Sequence, residues 1–521
     1  MLDRIKAGWM REVLMGERAL VAATLLVLSV LHFAHSRHLL PPTMRELSLD
    51  EASTYHIATH PLGELVRLAV ESHSQPPLYY LILHFILPLG DSELVLRGVN
   101  WLFVLALVWV VVLGMRELSL LARGMFGLIL VTSHYAYRLM IVRPYALCIL
   151  TSFLASLLLL RALEAPQRKR LLVGYGIALA AALGSAAFNA WLLVAHGLVL
   201  AAAFLGLARR EGARAALRRL GWLFGVLGLV GAAYFPYVLH VREHAASRGS
   251  PSLLSSLAAI WSPHRYAWFV RSMAGDGWAA YLLLVPIALG AWRFRGTAAL
   301  LWLAVGLGQP LFTVMFMAGR GSAQPRYVSP AFPVLVLLVV AGIEQVVLWL
   351  LRSLRWQQRL AFVPMGFACI AAALHTKELM ARGGPDPRDV NWQRLSQELS
   401  RVKGQKVVFF RVGINAQMPA YYSRHDQSVE YVLPSPLGDN RANKSIASRA
   451  LIGRGIREHP RARCFVYVKD ARRGKRGKDL YDKVFTRKMA ELGYVASFTV
   501  KSGKVRNKSH DSYSAHGFCR H

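Results

Sequence analysis

Apolar residues in this chain gather into long runs separated by short polar stretches, near positions 19–37, 94–115, 120–139, 144–162, 171–187, 190–208, 220–240, 278–293, 297–318, 328–351 and 360–376. Each run is close to the roughly 20 residues that cross a bilayer as a helix, which predicts about eleven transmembrane helices. A further run, 76–90, is short for a span and reads as a helix lying in the membrane interface. Beyond residue 377 the runs stop. Helical patterns at 390–402, 441–459 and 480–492 alternate there with strand patterns at 406–410, 464–468 and 495–500, around a basic loop at 471–478. The chain divides on this pattern into a transmembrane domain, 1–376, and a small α/β domain, 377–521, and no internal repeat is evident.

Charge decides how the spans are threaded. If 76–90 stays on one face, the basic loops Arg116–Arg123, Arg161–Arg170, Arg209–Arg219, Arg293–Arg295 and Arg352–Arg359 all fall on the side of the basic N-terminus. If it spans, they flip together. Short Lys/Arg-rich loops stay in the cytoplasm, so 76–90 is expected to be juxtamembrane on the outer face, with loops 38–93 and 241–277 and the tail outside. Loop 241–277 carries Trp261, Tyr266, Trp268 and Phe269 among His264, Arg265 and Arg271, the mix of an interfacial aromatic belt.

Composition agrees with this picture. The chain has 521 residues, is 55% hydrophobic, and has a mean hydropathy of +0.35, outside the soluble range. Much of its formal charge of +33 lies in those short loops between apolar runs, which points to membrane threading and not to nucleic acid. The basic tail suits contact with anionic headgroups or phosphates. Arg4, Lys6, Arg11 and Arg18 ahead of the first run read as the start of an uncleaved span. Of four cysteines, Cys148 and Cys369 lie in apolar runs. Cys464 and Cys519 lie outside them, on the side expected to be oxidising, and are expected to form a disulfide joining a strand to the C-terminus.

Candidate chemistry lies in the polar interruption from Leu47 to Tyr80. Ser48, Asp50 and Glu51 fit a capping box at a helix start; equally, a carboxylate at a membrane face can act as a general base. His73, Gln75, Tyr79 and Tyr80 flank a double proline, and the two tyrosines read as interfacial anchors that can also pack against an isoprenoid chain. Arg143, before Pro144 and Tyr145, and Arg326, beside Tyr327, stand at the outer ends of two spans. Each either snorkels to the headgroups or holds a phosphate in a two-pronged contact. His32, His35 and His38 share a spacing of three and read as a polar, interface-facing stripe; a metal site would need a further ligand. No Walker loop, dinucleotide fingerprint, zinc cysteine pair or Gly-x-Ser-x-Gly elbow stands out, which argues against nucleotide-driven transport and serine hydrolysis.

Asp50-Glu51, Gln75-Pro76-Pro77-Leu78-Tyr79-Tyr80 with Gly90-Asp91-Ser92-Glu93 and Arg97, Arg143-Pro144-Tyr145-Ala146-Leu147, and Arg326-Tyr327 before Pro330 occur in an order and spacing that resemble the GT-C class of membrane glycosyltransferases. Within it, the chain resembles the bacterial protein O-mannosyltransferase and aminoarabinose transferase-like family. The resemblance implies a GT-C fold and transfer of a sugar from a polyprenyl phosphate carrier to a hydroxyl acceptor on the extracytoplasmic face of a bacterial inner membrane. It further implies Asp50 as base with Glu51 as cap or partner, Arg143 and Arg326 on the phosphate, and an inverting displacement. The chain departs from similar bacterial sequences where they read Asp-x-His-Pro-Pro: His73 replaces the acid and Gln75 the histidine, which tells against a metal ligand or second base there. The acid that relatives carry after the Arg-Pro-Tyr segment is also missing. No cofactor is required by this reading, and a divalent metal is left open. Two other classes fit the same charges: a transporter or flippase of a lipid-linked sugar, and a non-catalytic subunit of a surface-polysaccharide assembly.

Overall fold

The computed structural model describes residues 20–31, 49–73, 75–132, 139–246, 283–316, 328–351, 407–411, 464–470, 487, 489–491, 493–501 and 513–519. The chain forms two compact units, one comprising 1–39 and 61–382, the other 40–60 and 383–521. The expected span at 360–376, the basic loop at 352–359, the aromatic loop and the tail helices at 390–402 and 441–459 lie outside the described residues.

The helices in chain order are α1 (Leu20–Leu31), α2 (Leu49–Ala58), α3 (Leu62–His73), α4 (Leu78–Ile86), α5 (Glu93–Gly114), α6 (Leu120–Thr132), α7 (Tyr145–Glu164), α8 (Lys169–Ser185), α9 (Trp191–Glu211), α10 (Ala213–Ala246), α11 (Leu284–Phe294), α12 (Gly296–Gly306), α13 (Gly308–Phe316) and α14 (Ala331–Leu351). All but α2 belong to the first unit. Among the described residues, six helices are long and apolar enough to cross a membrane, at Glu93–Gly114, Tyr145–Glu164, Ala187–Glu211, Ala213–His240, Gly296–Thr313 and Ala331–Trp349.

Local chemistry sets the helix ends. Ser92 caps α5 by accepting from the Val95 N–H. Pro77 and Pro144 stand immediately before α4 and α7, where a missing N–H does no harm. Gly212, at φ +87, turns the chain between α9 and α10. The expected run 297–318 divides at Leu307, which keeps near-helical dihedrals between α12 and α13. Helix α4 with its 3-10 extension, Leu87–Leu89, covers about 18 Å at helical rise, too short for the hydrocarbon core.

The core of this unit is apolar and aromatic. Phe153 of α7 stacks on Trp302 of α12 at 5.2 Å, flanked by Phe126 of α6 and Phe294 of α11. Helices α11 and α14 cross at two glycines: a Cβ on Gly290 would fall 1.9 Å from the Leu338 carbonyl oxygen, and one on Gly342 would fall 1.9 Å from that of Pro286.

At one end of this bundle the basic turns meet in a polar network. Arg161, in the last turn of α7, donates to the Gly114 carbonyl at 2.7 Å and pairs with Glu117 at 2.7 Å. Arg293 of α11 pairs with Glu344 of α14 at 3.1 Å and donates to the Glu117 carbonyl, while Glu344 accepts from the Ser119 N–H. Helix α7, with 20 residues, places Arg143 about 30 Å away at the opposite end.

The second unit contains a four-stranded sheet of β1 (Val407–Arg411), β2 (Cys464–Asp470), β3 (Val495–Lys501) and β4 (Tyr513–Cys519), in the order β1-β2-β4-β3. Strand β1 is parallel to β2, and β4 is antiparallel to both β2 and β3. The strand pattern anticipates β1 to β3; β4, polar and glycine-containing, is not anticipated by it, yet it sits inside the sheet. Cys464 and Cys519 are opposed across β2 and β4 and form a disulfide. Gly493, at φ +77, ends the helical turn at 489–491 by its N–H to the Ala490 carbonyl, and Phe465 packs on Tyr494 at 4.9 Å.

Candidate functional site

The site builds up from an irregular turn. Proline disfavours helical dihedrals in the residue before it, so α7 cannot extend back through Arg143, and residues 141–144 form a bend. Within the bend the Arg143 N–H reaches the Ile141 carbonyl at 2.6 Å, and the Cys148 N–H reaches that of Pro144 at 2.8 Å. From α5, the Asn100 carboxamide nitrogen donates to the carbonyl of Arg143 at 3.2 Å and to that of Ile141. Arg143 is 9% exposed and Tyr145 is buried. A snorkelling arginine would carry its guanidinium out of the protein; this one is held inside it. Arg97, also buried, stands one turn before Asn100 on the same side of α5.

One turn into α7 a polar cluster continues inward. The Cys148 thiol donates to Asn189 Oδ1 at 3.2 Å, and Asn189 Nδ2 donates to the Ala182 carbonyl and to Ser185 Oγ, tying the start of α7 to the end of α8. Gly184, beside Ser185, faces Leu78 of α4 across a gap that a Cβ would bring to 3.4 Å. The segment from Gln75 to Tyr80 therefore shares an end of the first unit with Arg143 and Tyr145.

Within that segment the Gln75 N–H closes on the Ala69 carbonyl, and Gln75 Oε1 is buried without a hydrogen-bond partner among the described residues, an acceptor suited to a hydroxyl donor. The interfacial-anchor reading of Tyr79 and Tyr80 is corrected. An anchor keeps its hydroxyl wet, whereas both residues are 0% exposed, with ring centroids 6.3 Å apart. His73 closes α3.

Asp50 and Glu51 lie in the second unit, in the first turn of α2. Helix α2 starts where a Ser48 cap would start it. Glu51 is 1% exposed, and Ser53 and Thr54 on the same helix are buried. A carboxylate taken out of water to that degree needs compensating partners, which an exposed cap would not. The side chains of Asp50 and His73, and all of Arg326, Tyr327, His32, His35 and His38, lie outside the described residues. Among the described residues, no three His, Cys, Asp or Glu side chains are grouped to hold a metal ion.

Sequence reasoning passed over Asn100, Ser185 and Asn189, and also His196, whose ring nitrogens lie 3.1 Å from the Tyr175 hydroxyl and 3.2 Å from Ser156 Oγ. The signal that could have found them is a polar residue inside or beside an apolar run, which in a bilayer must be satisfied by the protein.

No protein-family model and no curated protein matches the sequence. Solved structures do match the fold. The archaeal oligosaccharyltransferase AglB from Archaeoglobus fulgidus, in complex with an inhibitory peptide and a dolichol-phosphate, aligns with a TM-score of 0.56 at 11% identity over 95% of this chain and 75% of its own. ArnT from Cupriavidus metallidurans, bound to undecaprenyl phosphate, aligns with a TM-score of 0.54 at 14% identity over 96% of this chain and 98% of its own. At such identities the likeness speaks for the fold, and it extends over nearly the whole chain: this is a multi-pass membrane protein with the GT-C fold.

Proposed function

We propose that this protein is a glycosyltransferase that moves a sugar from a polyprenyl phosphate carrier to a hydroxyl acceptor on the extracytoplasmic face of a bacterial inner membrane. The observation that carries the proposal is the buried Arg143 at the N-terminal end of α7. A buried guanidinium beside the positive end of a long helix is suited to a phosphate ester. The two matched structures were solved with a dolichol-phosphate and with undecaprenyl phosphate.

In the proposed reaction the acceptor oxygen attacks the anomeric carbon of the donor from the side opposite the phosphate. The bond from that carbon to the phosphate oxygen breaks, inverting the configuration, and the carrier leaves as polyprenyl phosphate. Asp50 takes the acceptor's proton, with Glu51 behind it. Arg143 and Arg326 hold the phosphate and stabilise its growing charge, with Tyr145 and Tyr327 beside them. Gln75 and His73 contact the sugar, and the buried Tyr79 and Tyr80 form the wall behind the site that receives the first isoprene units.

Two features support the proposed sidedness. The turns at Arg116–Arg123, Arg161–Arg170 and Arg293–Arg295 meet at the end of the bundle remote from Arg143, which suits a cytoplasmic end. The Cys464–Cys519 disulfide suits a tail in an oxidising compartment.

The test is to incubate the purified full chain in lipid nanodiscs with a panel of undecaprenyl phosphate sugars and a mixture of acceptors. Release of undecaprenyl phosphate from one donor is expected. No release from any donor, together with movement of an intact donor across proteoliposomes, would replace the transferase with a transporter.

A further inference from the structure

We infer that Asn100 is a positioning residue for Arg143: its carboxamide fixes the bend that presents the guanidinium, and through it sets how tightly the phosphate of a polyprenyl carrier is held. The inference rests on the reading of Arg143 as a phosphate ligand.

The geometry is specific. Asn100 lies on α5, fully buried, 41 and 43 residues before the two carbonyls it reaches. Its Nδ2 carries two hydrogens, one for the Ile141 carbonyl and one for that of Arg143, so a single side chain grips the bend on both sides of Val142. The Ile141 carbonyl also takes the Arg143 N–H, so these bonds converge on the residue that orients the guanidinium. Pro144 has no N–H with which to anchor the bend from its other side. The arrangement carries a penalty, visible in the same side chain: Asn100 Oδ1 is buried without a hydrogen-bond partner among the described residues, which a residue needed only to fill space would avoid. Two-pronged recognition of a phosphate depends on the orientation of the guanidinium plane, and displacement of a positioning group by about 1 Å is enough to lose it.

The experiment measures binding of undecaprenyl phosphate to the full chain in detergent micelles by native mass spectrometry. The proteins compared are wild type, Asn100→Ser, Arg143→Ala and the double variant, each checked for an unchanged melting temperature. Serine is too short to reach both carbonyls. Asn100→Ser is expected to weaken binding roughly tenfold, the scale of two lost hydrogen bonds. In the Arg143→Ala background it should change binding by less than about twofold, because a residue acting through Arg143 has nothing left to position. Should Asn100→Ser not fold, Asn100→Gln, which keeps both donor hydrogens on a longer arm, carries the same comparison. Unchanged binding in Asn100→Ser, or effects that multiply in the double variant, would overturn the inference and leave Arg143 in place. Unchanged binding in Arg143→Ala would instead overturn the phosphate reading, and the inference with it.

Discussion

At the scale of single residues, Asp50 and Glu51 stand side by side in the sequence but invite different roles. A capping box and a catalytic pair look the same in one dimension. Glu51 is 1% exposed, so the two roles differ in what each substitution should cost. Asp50→Asn keeps the shape and the capping ability of the side chain but cannot take a proton, so transfer should fall by about 10² to 10⁴ with the melting temperature unchanged. Glu51→Gln should show the reverse balance, retaining most of the turnover while lowering the melting temperature, since a buried carboxylate is replaced among partners that received a charge. Turnover and melting curves at equal amounts of folded protein decide it. An active Asp50→Asn enzyme removes the base, and a dead Glu51→Gln moves it one residue along. The guanidinium of Arg143 was legible from its place before Pro144, whereas its grip by Asn100 was not: an asparagine in an apolar run announces that it needs partners without naming them.

At the scale of elements, the apolar runs locate the described helices well, because a bilayer-length run leaves few other conformations for its backbone groups. How the helices touch is another matter. Gly290 and Gly342 are unremarkable in sequence among 41 glycines, yet they let α11 and α14 cross with backbone against backbone. Gly206, inside α9, has nothing within 4 Å of its missing Cβ. Alanine normally stabilises a helix by about 0.5–1 kcal/mol over glycine, so Gly206→Ala should be neutral or stabilising. Gly290→Ala and Gly342→Ala should each cost about 1–3 kcal/mol or more, because the neighbouring atom is a carbonyl that cannot rotate away. Thermal melts in detergent check the sign. Equal melting temperatures for all three variants would show that α11 and α14 do not cross this closely. In the second unit, β4 escaped notice because Tyr513–Cys519 holds Ser514, His516 and Gly517 where a strand usually has branched residues, and its place is set by the partners on both sides.

At the scale of the whole molecule, the expectations concern sidedness and the compartment of the tail. Cysteines introduced at Asp91 and in the tail should react with a membrane-impermeant maleimide in intact cells; protection of both would invert the threading and the proposed active face. Intact mass without reductant should show Cys464 and Cys519 joined. With a separation of 55 residues, loss of this cross-link should destabilise the sheet by about 4 kcal/mol, read as faster hydrogen exchange across β2 and β4. Two free thiols in the native protein would remove both the cross-link and its support for an oxidising compartment. The sequence by itself determined where the apolar helices lie and which turns carry positive charge. Those properties depend on transfer free energy and charge within windows of about 20 residues, so they are written locally. The tertiary structure alone decided that Glu51 is buried, that Asn100 holds the bend at Arg143, that Gly290 and Gly342 carry a helix crossing, and that β4 inserts between β2 and β3. Each of these is a contact between residues far apart in the chain, made specific by close packing and by the need of buried polar groups for partners, and neither requirement leaves a periodic trace in the sequence.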